Sequence, residues 1–224
     1  MIKKVQFTVL FLFLMSFVLV SCSNPGTKDS YIKIEVHEQQ TDHGTVIQIP
    51  EFISNNEEIR KNLRSLDKER KDLEKIVERE QKKNSVIEMR SYVGGSENYP
   101  QVTVVWYIDE GESRLYNILT LAAETREGLP ITCKEALLKT QMTGVDLCLK
   151  VGKLFKESSE RGELRSTEMQ GFELGENGEV KEIYMKLILD IEEEEEERIE
   201  EHFFSYIPEK DELVSLSEKG FDVP

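Results

Sequence analysis

The chain has little of what usually announces a chemistry. Among 224 residues there are three cysteines, three histidines and one tryptophan. His37, His43 and His202 stand in no zinc-ligand spacing, so no metal site is expected from them, and His43 reads as a turn residue. No Gly-x-Ser-x-Gly elbow occurs, and neither Ser113 nor Ser205 has a general base near it in sequence. Gly94-Gly95 opens a connection between strands and not the start of a helix, so it reads as a turn and not as a phosphate cradle. No cofactor is expected. Positive charge is also short: 29 Lys and Arg face 44 Asp and Glu, a net charge of −15. That balance disfavours nucleic acid and favours cationic partners.

Long apolar runs are missing as well, except at the beginning. Lys3 and Lys4 precede residues 5–20, which are apolar apart from Gln6, Thr8 and Ser16. The run is shorter than the roughly 20 residues a membrane-spanning helix needs, and has the layout of an export signal. It ends in Leu19-Val20-Ser21-Cys22, which resembles the lipobox of bacterial lipoproteins. The resemblance implies cleavage of residues 1–21 and a lipid anchor, palmitate among its chains, on Cys22. Two or more acyl chains hold a protein durably where one does not. The expected location is therefore the extracytoplasmic face of a cell membrane or envelope. Residues 22–30 lack large apolar side chains after the cysteine and read as a flexible tether. Residues 31–224 have the length of one domain. Removing the signal takes away two lysines and no acid, which moves the net charge to −17.

What remains is polar but periodic, hence a folded chain. Residues 31–36 and 45–50 alternate around a His43-Gly44 turn and predict a hairpin that ends at Pro50. From 55 to 84, Ile59, Leu63, Leu66, Leu73, Ile76 and Val77 make one apolar stripe, which predicts a long amphipathic helix capped by Ser54 or Asn55. Residues 86–93, 102–108 and 115–122 predict an antiparallel meander with turns at 94–96 and 109–113. Thr132-Cys133-Lys134-Glu135 is a capping box that opens a short helix to about 140, and a second helix follows Gly144 up to a polar end at 157–160. Residues 172–174 and 183–189 flank an Asn177-Gly178 turn, and 203–208 reads as a last strand. The expected fold class is α+β, an antiparallel sheet with the long amphipathic helix and one or two further helices packed on one face.

Two features carry weaker chemical signals. Once Cys22 is lipidated, Cys133 and Cys148 are the remaining thiols, and outside the cytoplasm such a pair is a candidate disulfide. Closing that loop contributes about 3 kcal/mol on chain-entropy grounds. The sequence leaves bridge and free thiols equally open, and a helix start at Cys133 would favour its thiolate. Glu192-Glu193-Glu194-Glu195-Glu196-Glu197 forms a candidate acidic surface. It lacks the glycine turn of a calcium loop and reads as a solvated connector.

Residues 102–138 carry a second resemblance. Val102-Thr103-Val104-Val105-Trp106-Tyr107, then residues 115–121, then Thr125-Arg126-Glu127-Gly128-Leu129-Pro130-Ile131-Thr132 and Glu135-Ala136-Leu137-Leu138 resemble in order the RsiV-like extracytoplasmic domains. Those domains occur in lysozyme-sensing anti-sigma factors and beside peptidoglycan deacetylases. Glu110-Gly111-Glu112-Ser113 stands where that family has Gly-Gly-Ala-His, so lysozyme sensing is not carried over. The resemblance implies a non-catalytic module that binds or senses an envelope or extracellular ligand, with a wall fragment or a cationic protein as partner. The competing expectation is an envelope enzyme, a cell-wall or peptide hydrolase, whose Glu201, His202 and Tyr206 converge only in the fold.

Overall fold

The alternating runs become strands, but they build two sheets where the pattern predicts one. The computed structural model describes residues 31–109, 114–158, 162–193 and 196–224. The signal, Cys22, the tether, the 110–113 connection with Ser113, and Glu160 lie outside the described residues. About half of the described residues are in strands and a quarter in helices.

The first sheet has the order β1-β2-β3-β4-β5-β6. β1 (Ile32–Gln40) and β2 (Val46–Ser54) are the expected hairpin, although Pro50 lies inside β2, opposite Val36. Its missing N–H is tolerated because β3 (Val86–Gly95) touches β2 only near Ile47 and Met89, leaving that side of Pro50 unpaired. This β2–β3 contact is parallel and is bridged by helices, so the sheet is mixed. β3, β4 (Pro100–Asp109) and β5 (Arg114–Ala123) form the expected meander, and β6 (Pro130–Ile131) closes the edge.

The single long helix is also corrected. The stripe divides at Leu63 into α1 (Glu57–Asn62), capped by the Asn56 side chain, and α2 (Arg64–Lys82). The end of α1 is tied down: Asn62 Nδ2 donates to the Glu127 carbonyl at 2.7 Å. Gly128, at φ +72°, lies so close to Ile59 that a Cβ there would collide with it. The apolar stripe still does what it was expected to do. Ile59, Leu63, Leu66, Leu73 and Val77 bury against Ile47, Ile87, Met89, Val102, Val104 and Leu121.

The second sheet has the order β10-β9-β8-β7. It follows α3 (Cys133–Lys139), which opens with the expected capping box, and α4 (Gly144–Ser158). β7 (Glu163–Leu174), β8 (Val180–Glu193), β9 (Glu196–Ile207) and β10 (Glu212–Ser215) meander antiparallel. Leu147, Val151 and Phe155 of α4 cover Ile183, Met185, Leu187 and Leu189. The two sheets therefore lie back to back with helices on both outer faces, which overturns the expectation of one sheet covered on one face. The reason is visible in β4: Val102 and Val104 point to the helices while Val105 and Tyr107 point the other way, and both sets are buried. A strand apolar on both faces needs a layer on each.

The seam between the sheets is polar at its narrowest point. Gln101, Thr103, Thr120 and Ser205 are four of the six buried polar side chains among the described residues, and all four lie here. The edge strand β7 would otherwise present unpaired backbone groups. Phe172 N–H donates to Thr120 Oγ1 at 3.2 Å, the Thr120 hydroxyl lies 3.2 Å from the Phe172 carbonyl, and Leu174 N–H donates to Gln101 Oε1 at 2.9 Å. Gly171 makes the approach possible, because a Cβ there would overlap Thr120 Oγ1. Gly171→Ala should therefore lower unfolding free energy by about 1–3 kcal/mol, the usual range for overpacking. Urea denaturation of the two proteins measures it, and equal midpoints would mean that the sheets do not meet at this residue.

Candidate functional site

Alternation along three adjacent strands sets the strongest constellation. The register places Glu88 opposite Tyr107 and Tyr107 opposite Tyr116, while Asp109 faces Arg114. These residues, with Arg90 and Tyr92, share the face of the first sheet that looks toward the seam. The second sheet and the C-terminal segment cover one part of that face. Val105 and Ile118 pack with Tyr184, Phe203, Leu216 and Val223, and Phe221 lies against Tyr92, ring centroids 4.8 Å apart. At the other part the face opens to solvent, where Arg90 and Arg114 are half exposed.

The open part is a bonded cluster. Tyr107 donates to Glu88 Oε2 at 2.8 Å and Arg90 Nε donates to Glu88 Oε1 at 2.6 Å. The Arg114 guanidinium sits 4.7 Å above the Tyr107 ring and 3.6 Å from Asp109. Tyr116 bridges Tyr107 and Phe203, with centroids 5.5 Å and 6.3 Å away. Asp222 N–H donates to the Tyr92 oxygen at 3.3 Å, and Asp222 lies 3.9 Å from Arg90. Burial first, and the Glu88 carboxylate second, push the Tyr107 phenol up to about 12. Three carboxylates against two guanidiniums leave the cluster slightly acidic. Such a surface offers phenol oxygens, ring faces and paired charges, the chemistry of recognition.

The residues singled out in the sequence are dispersed. Glu201, His202 and Tyr206 do not converge. His202 pairs with Glu200 at 2.9 Å, and Glu201 pairs with Lys186 from the next strand position, hence the opposite face of β9. Tyr206 is buried under α4 and donates to Asp211 at 3.1 Å, four residues and thus about 13 Å along the strand from His202. Ser205 is fully buried and donates to Glu182 at 2.6 Å. His37 pairs with Glu51 across the β1–β2 hairpin, and His43 sits exposed in its turn. Gly95, at φ +80°, ends β3 at a tight turn closed by Ser96 and Tyr99.

Cys133 and Cys148 are separate free thiols. Cys133 packs beside Ala122, Ile131 and Phe172, while Cys148 Sγ lies 3.6 Å from the Thr167 carbonyl, so the two side chains meet β7 at different positions. Burial pushes the Cys133 thiol up, opposite to the reactive thiolate that its helix start suggests. The acidic run forms the far end of the β8–β9 hairpin, where backbone pairing sets Glu192 against Glu197 and Glu193 against Glu196. Glu194 and Glu195 lie outside the described residues.

No family model, curated protein or solved structure matches the chain.

Two measurements check this geometry. A phenol with a raised folded-state pKa stabilises the fold below its ordinary value near 10, and the contribution is lost as pH climbs toward 12. Ultraviolet titration should therefore show a tyrosinate component near 12 that Tyr107→Phe removes and Glu88→Gln moves downward. An unchanged curve in both variants would contradict the pairing. Alkylation in denaturant without reductant should modify both Cys133 and Cys148; a mass lighter by two hydrogens and no modification would reveal a bridge instead.

Proposed function

We propose that this chain is a membrane-anchored envelope lipoprotein whose exported domain is a non-catalytic binding module for a cationic extracellular or envelope protein. The observation that carries the reading is the open end of the seam, where half-exposed Arg90 and Arg114 and part-buried Tyr116 surround the buried Tyr107, with Tyr92 beside them under the C-terminal segment. Tyrosine and arginine are the side chains that dominate the energetics of protein interfaces, because each joins a broad apolar face to a fixed polar end. The accompanying Glu88, Asp109 and Asp222 leave carboxylate charge for basic side chains of a partner, whose cations fit tyrosine faces as Arg114 fits Tyr107. The net charge of −15 supports the same partner class by accelerating its approach. The resemblance of residues 102–138 to RsiV-like domains supports a sensing role and places the β4–β5 hairpin at its centre.

The anchor and the binding surface are tested separately. Metabolic labelling with palmitate should mark the wild type and spare Cys22→Ala; a labelled variant would refute the lipid site. Binding of a small basic probe protein such as lysozyme, read by surface plasmon resonance, should weaken at least tenfold in Tyr116→Ala and Arg114→Ala, both still folded by circular dichroism. Raising salt from 0.05 to about 0.5 M should slow association in all forms. Salt-independent binding, or binding indifferent to both substitutions, would contradict the proposal.

A further inference from the structure

The outer helices α3 and α4 carry an apolar surface that no other element covers. Leu149, Val145 and Leu138, at 69%, 68% and 67% exposure, are the three most exposed large apolar side chains among the described residues, and all three stand on these two helices. Val145 and Leu149 are one turn apart on α4, and Lys153 and Lys156 continue the same stripe. The inward stripe of α4, Leu147, Val151 and Phe155, is spent on the second sheet, so the outward one has no partner within the fold.

The charge around this stripe runs against the rest of the molecule. In a chain of net −15, residues 133–158 carry five lysines, at 134, 139, 150, 153 and 156, against three acids, Glu135, Asp146 and Glu157. The acids are committed locally: Glu135 and Asp146 close the N-terminal turns of α3 and α4 on Thr132 and Thr143, and Glu157 lies 3.7 Å from Lys153. Lys150 is held by Asp211 at 2.9 Å, while Lys134, Lys139, Lys153 and Lys156 are exposed. The other helical face differs. Lysines and acids pair on α2 as they do on α4, Lys75 with Asp72 at 2.6 Å and Lys153 with Glu157 at 3.7 Å, but no large apolar side chain of α1 or α2 is exposed.

We infer that the α3–α4 face rests on an anionic lipid surface. Leucine and valine at the centre with lysines beside them is the composition of a helix lying in the membrane interface. There the apolar side chains enter the headgroup boundary by about 5–10 Å and the lysine stems snorkel outward. What meets the negative membrane is then the local excess of lysine on α3 and α4, five against three acids, although the chain as a whole is acidic. The inference rests on the lipid anchor at Cys22. Nine residues, Cys22 to Ser30, separate that anchor from the domain and reach at most about 30 Å, enough to let this face settle. The docked orientation leaves the opposite helical layer, α1 and α2, facing away from the bilayer.

The test uses the full chain, purified from membranes, carrying Leu149→Trp or, as control, Ile199→Trp at another exposed apolar position. Vesicles of phosphatidylglycerol or phosphatidylcholine with brominated acyl chains are the probes. The tryptophan at 149 should lose most of its added emission on phosphatidylglycerol and little on phosphatidylcholine, and the one at 199 should lose little on either. Adding Lys153→Glu and Lys156→Glu should restore the emission. Protein that floats with vesicles but shows no quenching at 149 overturns the docking and leaves the anchor standing. Protein that does not float overturns the anchor, and with it this inference unless quenching at 149 persists. Concentration-dependent burial of residue 149 without vesicles would assign the face to a second copy and also overturn the inference.

Discussion

The molecule depends on one close approach, that of β7 to β4 and β5. A threonine hydroxyl and a glutamine carbonyl from the first sheet take up the free backbone groups of an edge strand in the second, and Gly171 leaves room for it. An edge strand with open N–H groups is a pairing hazard, and side chains from a facing sheet remove the hazard without extending the sheet. The cost of the arrangement is burial of polar atoms, which is tolerable because each has its partner. Once the sheets are held here, each must be covered on its remaining face by helices, and the helices duly occupy both outer sides.

The candidate binding cluster is a consequence of the same geometry. The sheets meet over Gln101, Thr103 and Thr120, and the C-terminal segment extends the cover as far as Tyr92. Beyond Tyr116, among the described residues, no packing from the second sheet covers Arg90 and Arg114, so side chains that would be seam elsewhere become surface. Their alternation continues unbroken, which is why Arg90 and Arg114, with part of Tyr116, reach solvent in fixed positions over the buried Tyr107. Such pre-ordering lowers the entropic cost of binding.

Much of this was legible in the sequence, and the failures have physical causes. The meander from 86 to 123 announces itself because β-branched and aromatic residues recur with period two, and the Thr132 capping box forms as its motif requires. The same alternation contains the cluster, since Glu88, Arg90 and Tyr92 fall on the phase opposite to Ile87 and Met89; reading only the apolar phase hides it. The first half of β7, Glu163 to Gln170, holds only Leu164 and Met169 among polar residues, without period-two alternation, and is a strand because β8 pairs with it. The break at Leu63 depends on a loop more than sixty residues away, through Asn62 and Glu127. Cys133 shows the limit of local rules, because burial outweighs its place at a helix start.

The proposed recognition lies at the uncovered end of the seam. Backbone and side-chain chemical shifts of the protein, recorded while a basic partner protein is added, address it most directly. The account predicts that the largest changes fall on Arg90, Tyr92, Asp109, Arg114 and Tyr116 and fade with salt. Changes confined to α2 or to the β1–β2 hairpin, with this cluster undisturbed, would contradict it.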